Sequence, residues 1–195
     1  DDAFVSMFDD TTQLLQDFTN DRAALKSAIT QIRAGGGTAF YDAVVESATK
    51  FVKRAEERKK ALILLTDGRD NRDEGPAIFD FTKPTQGSRH TLDEAILKAK
   101  EMQVVVYAIG LGSDADQARL QRLAAETGGK YFFALRGDQL KELYRLIAEQ
   151  LQKEYAVDFN SPRPLADGTQ RRVQVTVALP GGGAQTVEGV YVAGF

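Results

Sequence analysis

The chain has 195 residues, 43% of them hydrophobic and 27% charged, with a formal net charge of −3. That size and balance fit one globular domain plus a small appendage, and give no basis for a general attraction to nucleic acid or anionic lipid. The absence of cysteine excludes disulfides, thiolate metal sites and a cysteine nucleophile, and no stretch is long and apolar enough to span a membrane as a helix.

Ala3 to Phe8 reads as a short strand, and Asp9-Asp10-Thr11-Thr12 as a polar turn. Leu14, Leu15 and Phe18 continue into a second short strand or an edge segment. Asn20 or Asp21 caps a helix of about Arg22 to Arg33, with Leu25, Ala28, Ile29 and Ile32 on one face. Gly35-Gly36-Gly37 stops it. Thr38-Ala39-Phe40-Tyr41-Asp42 opens the next helix, about Tyr41 to Arg58. Its buried stripe is Ala43, Val44, Ser47, Ala48, Phe51 and Val52, and its basic end is a solvated face.

Ala61 to Thr66 is an apolar run closed at once by Asp67-Gly68. Such a run reads as a strand buried on both faces. Asp67 then lies at the strand's carboxyl end, the edge where open α/β sheets bind ligands. An Asp-Gly turn capping a nearby N–H is the plainer reading of the same residues.

From Arg69 to His90 the chain is irregular, punctuated by Gly75, Pro76, Pro84 and Gly87. Ile78, Phe79 and Phe81 predict that part of it packs down on the domain. Thr91 and Glu94 form a capping box for a helix of about Leu92 to Met102. Val104 to Ile109 is a second buried strand, ending in Gly110-Leu111-Gly112. A helix of about Asp116 to Thr127 follows, then a strand from Lys130 to Leu135. Asp138 to Lys153 forms the last helix, with Leu140, Leu143, Ile147 and Leu151 inward.

This alternation predicts an α/β fold: a doubly wound, mostly parallel sheet with helices on both faces. The character changes after Lys153. Tyr155 to Phe159, Val173 to Leu179 and Thr186 to Val192 alternate apolar and polar residues between turn signals. The expected organisation is an α/β domain over 1–153 and a small antiparallel β extension over 154–195, packed on it.

Three motifs line up in order: Gly36-Gly37-Thr38-Ala39 ahead of a helix carrying Asp42, Thr66-Asp67-Gly68 ending a buried strand, and Val104 to Gly110. Phe8-Asp9-Asp10, Asp70-Asn71 and Ser88 to Ala95 add to them. Together they resemble the von Willebrand factor type A family, a Rossmann-like fold, over about residues 3 to 150. Leu151 to Tyr155, Phe159, Asp167-Gly168 and the strand 173–179 are similar to the extension of its bacterial subgroup common in Acidobacteria.

The resemblance implies a non-enzymatic protein-interaction or adhesion module, acting through the carboxyl edge of the sheet, and an extracytoplasmic place. It also implies a metal-ion-dependent adhesion site. There a divalent cation, typically Mg2+, is held by an Asp-x-Ser-x-Ser loop, a threonine and an aspartate, and a partner's acid completes the shell. Thr38 and Asp67 correspond to the threonine and the aspartate. The Asp-x-Ser-x-Ser loop and the strand before it are not in the chain, so the expectation is a fragment of a longer protein, or another segment in the strand's place. Without that strand a gap flanked by unpaired edges is expected. Two oxygen ligands are too few for tight binding of Mg2+ by this chain alone.

Partner contacts are expected from Asp70, Asn71, Phe79 and Phe81, with Asp73, Glu74 and Asp80 nearby, although a self-packed loop fits the same stretch. The competing reading is a metal-assisted hydrolase or phosphatase using Asp67. No Gly-x-Ser-x-Gly elbow or Gly-Lys-Ser/Thr phosphate loop supports it. Gly110-Leu111-Gly112 lacks the rest of a dinucleotide fingerprint. Arg136-Gly137-Asp138 reads as a strand–helix joint with Asp138 as cap, and His90, the single histidine, as a loop residue near a helix start.

Overall fold

The computed structural model describes residues 2–33, 35–53, 59–71, 87–153, 168–179 and 182–192. The chain divides into two units, Asp1–Gln152 and Lys153–Phe195. The first begins with an antiparallel hairpin of β1 (Ala3–Phe8) and β2 (Thr12–Thr19). Helix α1 (Arg22–Gln31) follows, with the Asp21 carboxylate accepting the N–H groups of Ala23 and Ala24 at 2.8 and 3.3 Å. Helix α2 (Phe40–Lys50) tightens into a 3-10 turn at Phe51–Lys53. The rest of the helix expected to reach Arg58 lies outside the described residues.

Strand β3 (Lys60–Thr66) pairs in parallel with β4 (Val104–Leu111), which pairs in parallel with β5 (Tyr131–Ala134). Helix α3 (Leu92–Glu101) leads into β4, and α4 (Gln117–Glu126) leads into β5. The Thr91–Glu94 capping box is present in full. A 3-10 turn at Gly137–Gln139 then opens α5 (Leu140–Lys153). Asp138 pairs with Arg136 at 3.2 Å rather than capping α5.

The period of two in β3 and β4 sorts their side chains between two covers. Leu64, Val106 and Ala108 pack with α2, α3 and α4, around Phe40, Tyr41, Val44, Ile96, Leu120 and Leu123. Tyr107 and Ile109 face the other way, with Ile147 of α5 and the partly buried Ala61, Leu65 and Leu143. Helices therefore cover both faces, as the buried character of these strands requires.

The strands do not form one sheet. β1–β2 and β3–β4–β5 are separate, and the edge of β3 away from β4 has no strand partner among the described residues. Phe4, Phe18 and Phe51 nonetheless form an aromatic cluster with edge-on ring pairs 4.9 to 5.8 Å apart. It joins the hairpin to Ala48 of α2 and Val104 of β4. α1 pays for the split: Ala28 is buried, but Ile29 is 57% and Ile32 42% exposed. The apolar face expected for α1 has only a two-stranded hairpin to cover it. Val52, expected in the buried stripe of α2, is also exposed, because the chain has by then left α-helical geometry.

In the second unit β6 (Gln170–Leu179) and β7 (Gly183–Val192) form an antiparallel hairpin. Thr176 and Thr186 face each other with hydroxyls 3.0 Å apart. Both strands begin earlier than their alternation predicts. The strand expected at Tyr155–Phe159 lies outside the described residues.

The turn from α4 into β5 requires glycine twice. Gly128 has φ +83, and a Cβ on Gly129 would lie 2.0 Å from the Val106 carbonyl oxygen. That oxygen is fixed in a central strand and cannot retreat. Gly129→Ala is expected to destabilise the domain by about 3 kcal/mol, a loss that urea unfolding will read.

Candidate functional site

The carboxyl ends of β3 and β4 meet the start of α2. Ala39, the N-cap of α2, has no side chain that can accept a hydrogen bond. The first-turn N–H groups find partners from distant loops instead. Asp70 Oδ2 accepts the Tyr41 N–H at 3.1 Å, and Ser88 Oγ accepts the Asp42 N–H at 3.0 Å. The two caps are bonded to each other: the Ser88 hydroxyl donates to Asp70 Oδ2 at 2.6 Å, and its N–H to Oδ1 at 3.0 Å. A carboxylate at a helix N-terminus is also favoured by the helix dipole.

Asp42, itself in the first turn, reaches back the other way. Oδ1 accepts the His90 N–H at 2.9 Å and lies 2.7 Å from His90 Nδ1. Oδ2 accepts the Arg89 N–H at 3.0 Å and Nε–H at 3.3 Å. Burial pushes the Asp42 carboxyl up, but the hydrogen bonds from His90 and Arg89 outweigh it, and the group sits below the ordinary carboxylate range.

Asp70 is 0% exposed. The partner contact expected of it is corrected: its carboxylate is committed to the interior, where it caps α2 and anchors Ser88. Asn71 is committed in part. Its Oδ1 accepts the Thr38 N–H at 2.6 Å, and its N–H donates to the Thr38 carbonyl at 2.9 Å. Phe79 and Phe81 lie outside the described residues.

Glycines let three loops close around Thr38. A Cβ on Gly37 would lie 2.2 Å from Asp10 Oδ1, and one on Gly68 3.0 Å from Thr38 Oγ1. Ala39 N–H donates to the Asp9 carbonyl at 2.8 Å. Thr38 is thus held beside the end of β3, next to the exposed Asp67. A polar cleft of about 460 Å³ opens there, lined by Gly36, Gly37, Thr38, Gly68, Arg69, Asn71 and Asp114. Asp116 caps α4 through the Arg119 N–H at 3.1 Å and pairs with the Arg119 side chain. Burial raises its carboxyl, yet Arg119 first and Arg69 more distantly bring it below the ordinary range.

Thr38 and Asp67 offer one hydroxyl and one carboxylate to a cation. Among the described residues no group of three or more His, Cys, Asp or Glu is placed to hold a metal. A hard divalent ion takes six or more oxygens, so these residues do not fit one by themselves.

Asp42, Ser88 and Arg69 are the residues that sequence reasoning left without a role. An acid in a helix's first turn and a serine shortly before a capping box were visible signals. Their pairing across 46 residues was not.

The fold and this edge define a class: a doubly wound α/β domain with a glycine-built polar site at the carboxyl ends of its strands. The von Willebrand factor type A domain model matches residues 5–146, and the chain belongs to that family. The family is one of protein-interaction and adhesion modules, some with a metal-ion-dependent adhesion site. The chain is 28% identical over 149 residues to inter-alpha-trypsin inhibitor heavy chain H4 of Bos taurus. That match takes in 70% of this chain and 15% of the bovine protein. A von Willebrand factor type A structure from Catenulispora acidiphila matches with TM-score 0.64 at 20% identity, over 100% of this chain and 58% of that one. Proximal thread matrix protein 1 from the mussel byssus, with a zinc-occupied MIDAS motif, matches with TM-score 0.58 at 24% identity, over 76% and 34%.

Two outcomes are expected of the capping network. Asp70→Ala leaves the Tyr41 N–H and the Ser88 hydroxyl buried without their acceptor, and costs about 3 kcal/mol in chemical unfolding. Asp42 has a lowered folded pKa, so its contribution is present above the unfolded value of about 4 and is lost as pH falls through the lower folded one. Asp42→Asn therefore lowers stability near pH 7 and flattens the acid limb below about pH 4, read by thermal unfolding across that range.

Proposed function

We propose that this chain is a protein-interaction module that engages its partner at the carboxyl edge of β3 and β4. The observation that carries the reading is the contrast at that edge. Asp70, Asn71, Ser88 and Asp42 hold its loops from within, while Asp67 stands exposed and Thr38 half-exposed at the rim. Rigid elements presenting loop residues are the usual arrangement of a recognition surface.

The finer reading is a partial adhesion site. Thr38 and Asp67 supply two ligands for a divalent cation, whose shell needs further oxygen donors. Family membership and the zinc-occupied neighbour support it. Phe79 and Phe81 stay in this proposal as aromatic contacts. Residues 154–195 form an extension of the module, and an extracytoplasmic place follows from the resemblance.

The test is photo-cross-linking in extract of the source cell, from a reactive residue at exposed Ser113 on this edge and, separately, at exposed Lys141 on α5. A discrete adduct is expected from position 113 and not from 141, reduced at least about fivefold by Asp67→Ala. An adduct from α5 alone overturns the reading. Turnover of phosphate or ester substrates that Asp67→Ala abolishes would favour the hydrolase instead.

A further inference from the structure

The cleft carries two opposite charges that no described side chain neutralises. Arg89, Arg119, Arg122, Arg136 and Arg145 each hold a carboxylate of this chain. Arg69 does not: among the described residues its guanidinium makes no hydrogen bond or ion pair, and Asp116, which feels its charge, is spent on Arg119. Asp114, also lining the cleft, takes a hydrogen bond from the neutral Ser113 hydroxyl at 3.2 Å and, among the described residues, no cation. The two line one space without pairing to each other.

From these observations we infer that the cleft reads a charge pair on one extended segment of a protein partner, Arg69 taking an acidic side chain and Asp114 a basic one. The inference rests on the reading of this edge as the partner surface, and names its specificity. The guanidinium fork suits a planar carboxylate. Asn71 adds a second donor: its carbonyl is spent on the Thr38 N–H, which leaves its amide N–H2 for a ligand. Gly36 and Gly37 present bare backbone to the cleft, the places of their side chains being taken by Asp9 and Asp10. Asp114 selects against a phosphate dianion, which would meet its charge at close range, and against an acidic segment with no base to answer it.

The test is an amide chemical-shift titration of the full chain with blocked tripeptides: acetyl-Asp-Gly-Lys-amide, the Asn-Gly-Lys form and the Asp-Gly-Gln form. Saturable shifts at Gly37, Gly68 and Asn71 are expected with the first. Each neutral replacement weakens binding about fivefold, as for a solvent-exposed charge pair. Arg69→Gln removes the preference for Asp over Asn and keeps the preference for Lys over Gln; Asp114→Asn does the reverse. A general disturbance of the cleft would remove both preferences together.

Equal binding of the three peptides overturns the inference. So does survival of both preferences in Arg69→Gln, or inorganic phosphate displacing the first peptide at lower concentration than the peptide itself binds. The two readings fail separately. A cross-link from position 113 without charge selectivity overturns this inference alone. Charge selectivity with no adduct from position 113 overturns the partner surface and leaves the cleft's chemistry standing.

Discussion

The structure of the site depends on how one helix begins. α2 starts at a residue that cannot cap it, so its first-turn donors are answered by Asp70 from the end of β3 and Ser88 from the approach to α3. Three buried side chains, Asp42, Asp70 and Ser88, thereby bind three segments into one piece. Unmet donors at a buried helix start would cost far more than the network's net gain. The sequence therefore has little freedom at Asp42, Asp70 and Ser88. The adjoining Asp67 and Arg69 are exposed and carry no such duty among the described residues.

The same arrangement explains what could be seen in advance. β3 and β4 were legible because a strand buried on both faces is a continuous apolar run, and α3 because Thr91 and Glu94 satisfy a local capping rule. Thr38 and Asp67 were legible as an edge because strand order and glycines place them there. Asp70 was misjudged for a physical reason. An acid after Asp-Gly-Arg looks the same whether it faces solvent or a helix 29 residues away. The apolar face of α1 failed likewise: a period of 3.6 says which side is apolar, and says nothing about whether a partner exists to cover it.

The split between the two sheets concerns packing and pairing separately. Side-chain packing crosses it, through the Phe4, Phe18 and Phe51 cluster and through Leu62. Backbone pairing does not, since β1–β2 and β3–β4–β5 share no ladder. The hydrophobic term is roughly proportional to buried area and needs no alignment, whereas strand pairing needs register. Towards β3–β4–β5 the hairpin is thus held by the less directional of the two forces, while its directional bond, from the Ala39 N–H to the Asp9 carbonyl, goes to the start of α2.

The Asp70–Ser88 bond joins the two ends of the stretch between β3 and α3. A segment whose ends are tied directly to each other is decoupled from the length between them. Closure entropy rises only with the logarithm of that length, by about 0.6 kcal/mol per doubling. In this chain the tie lets α2, β3 and α3 keep their geometry whatever the length of chain between residues 71 and 87.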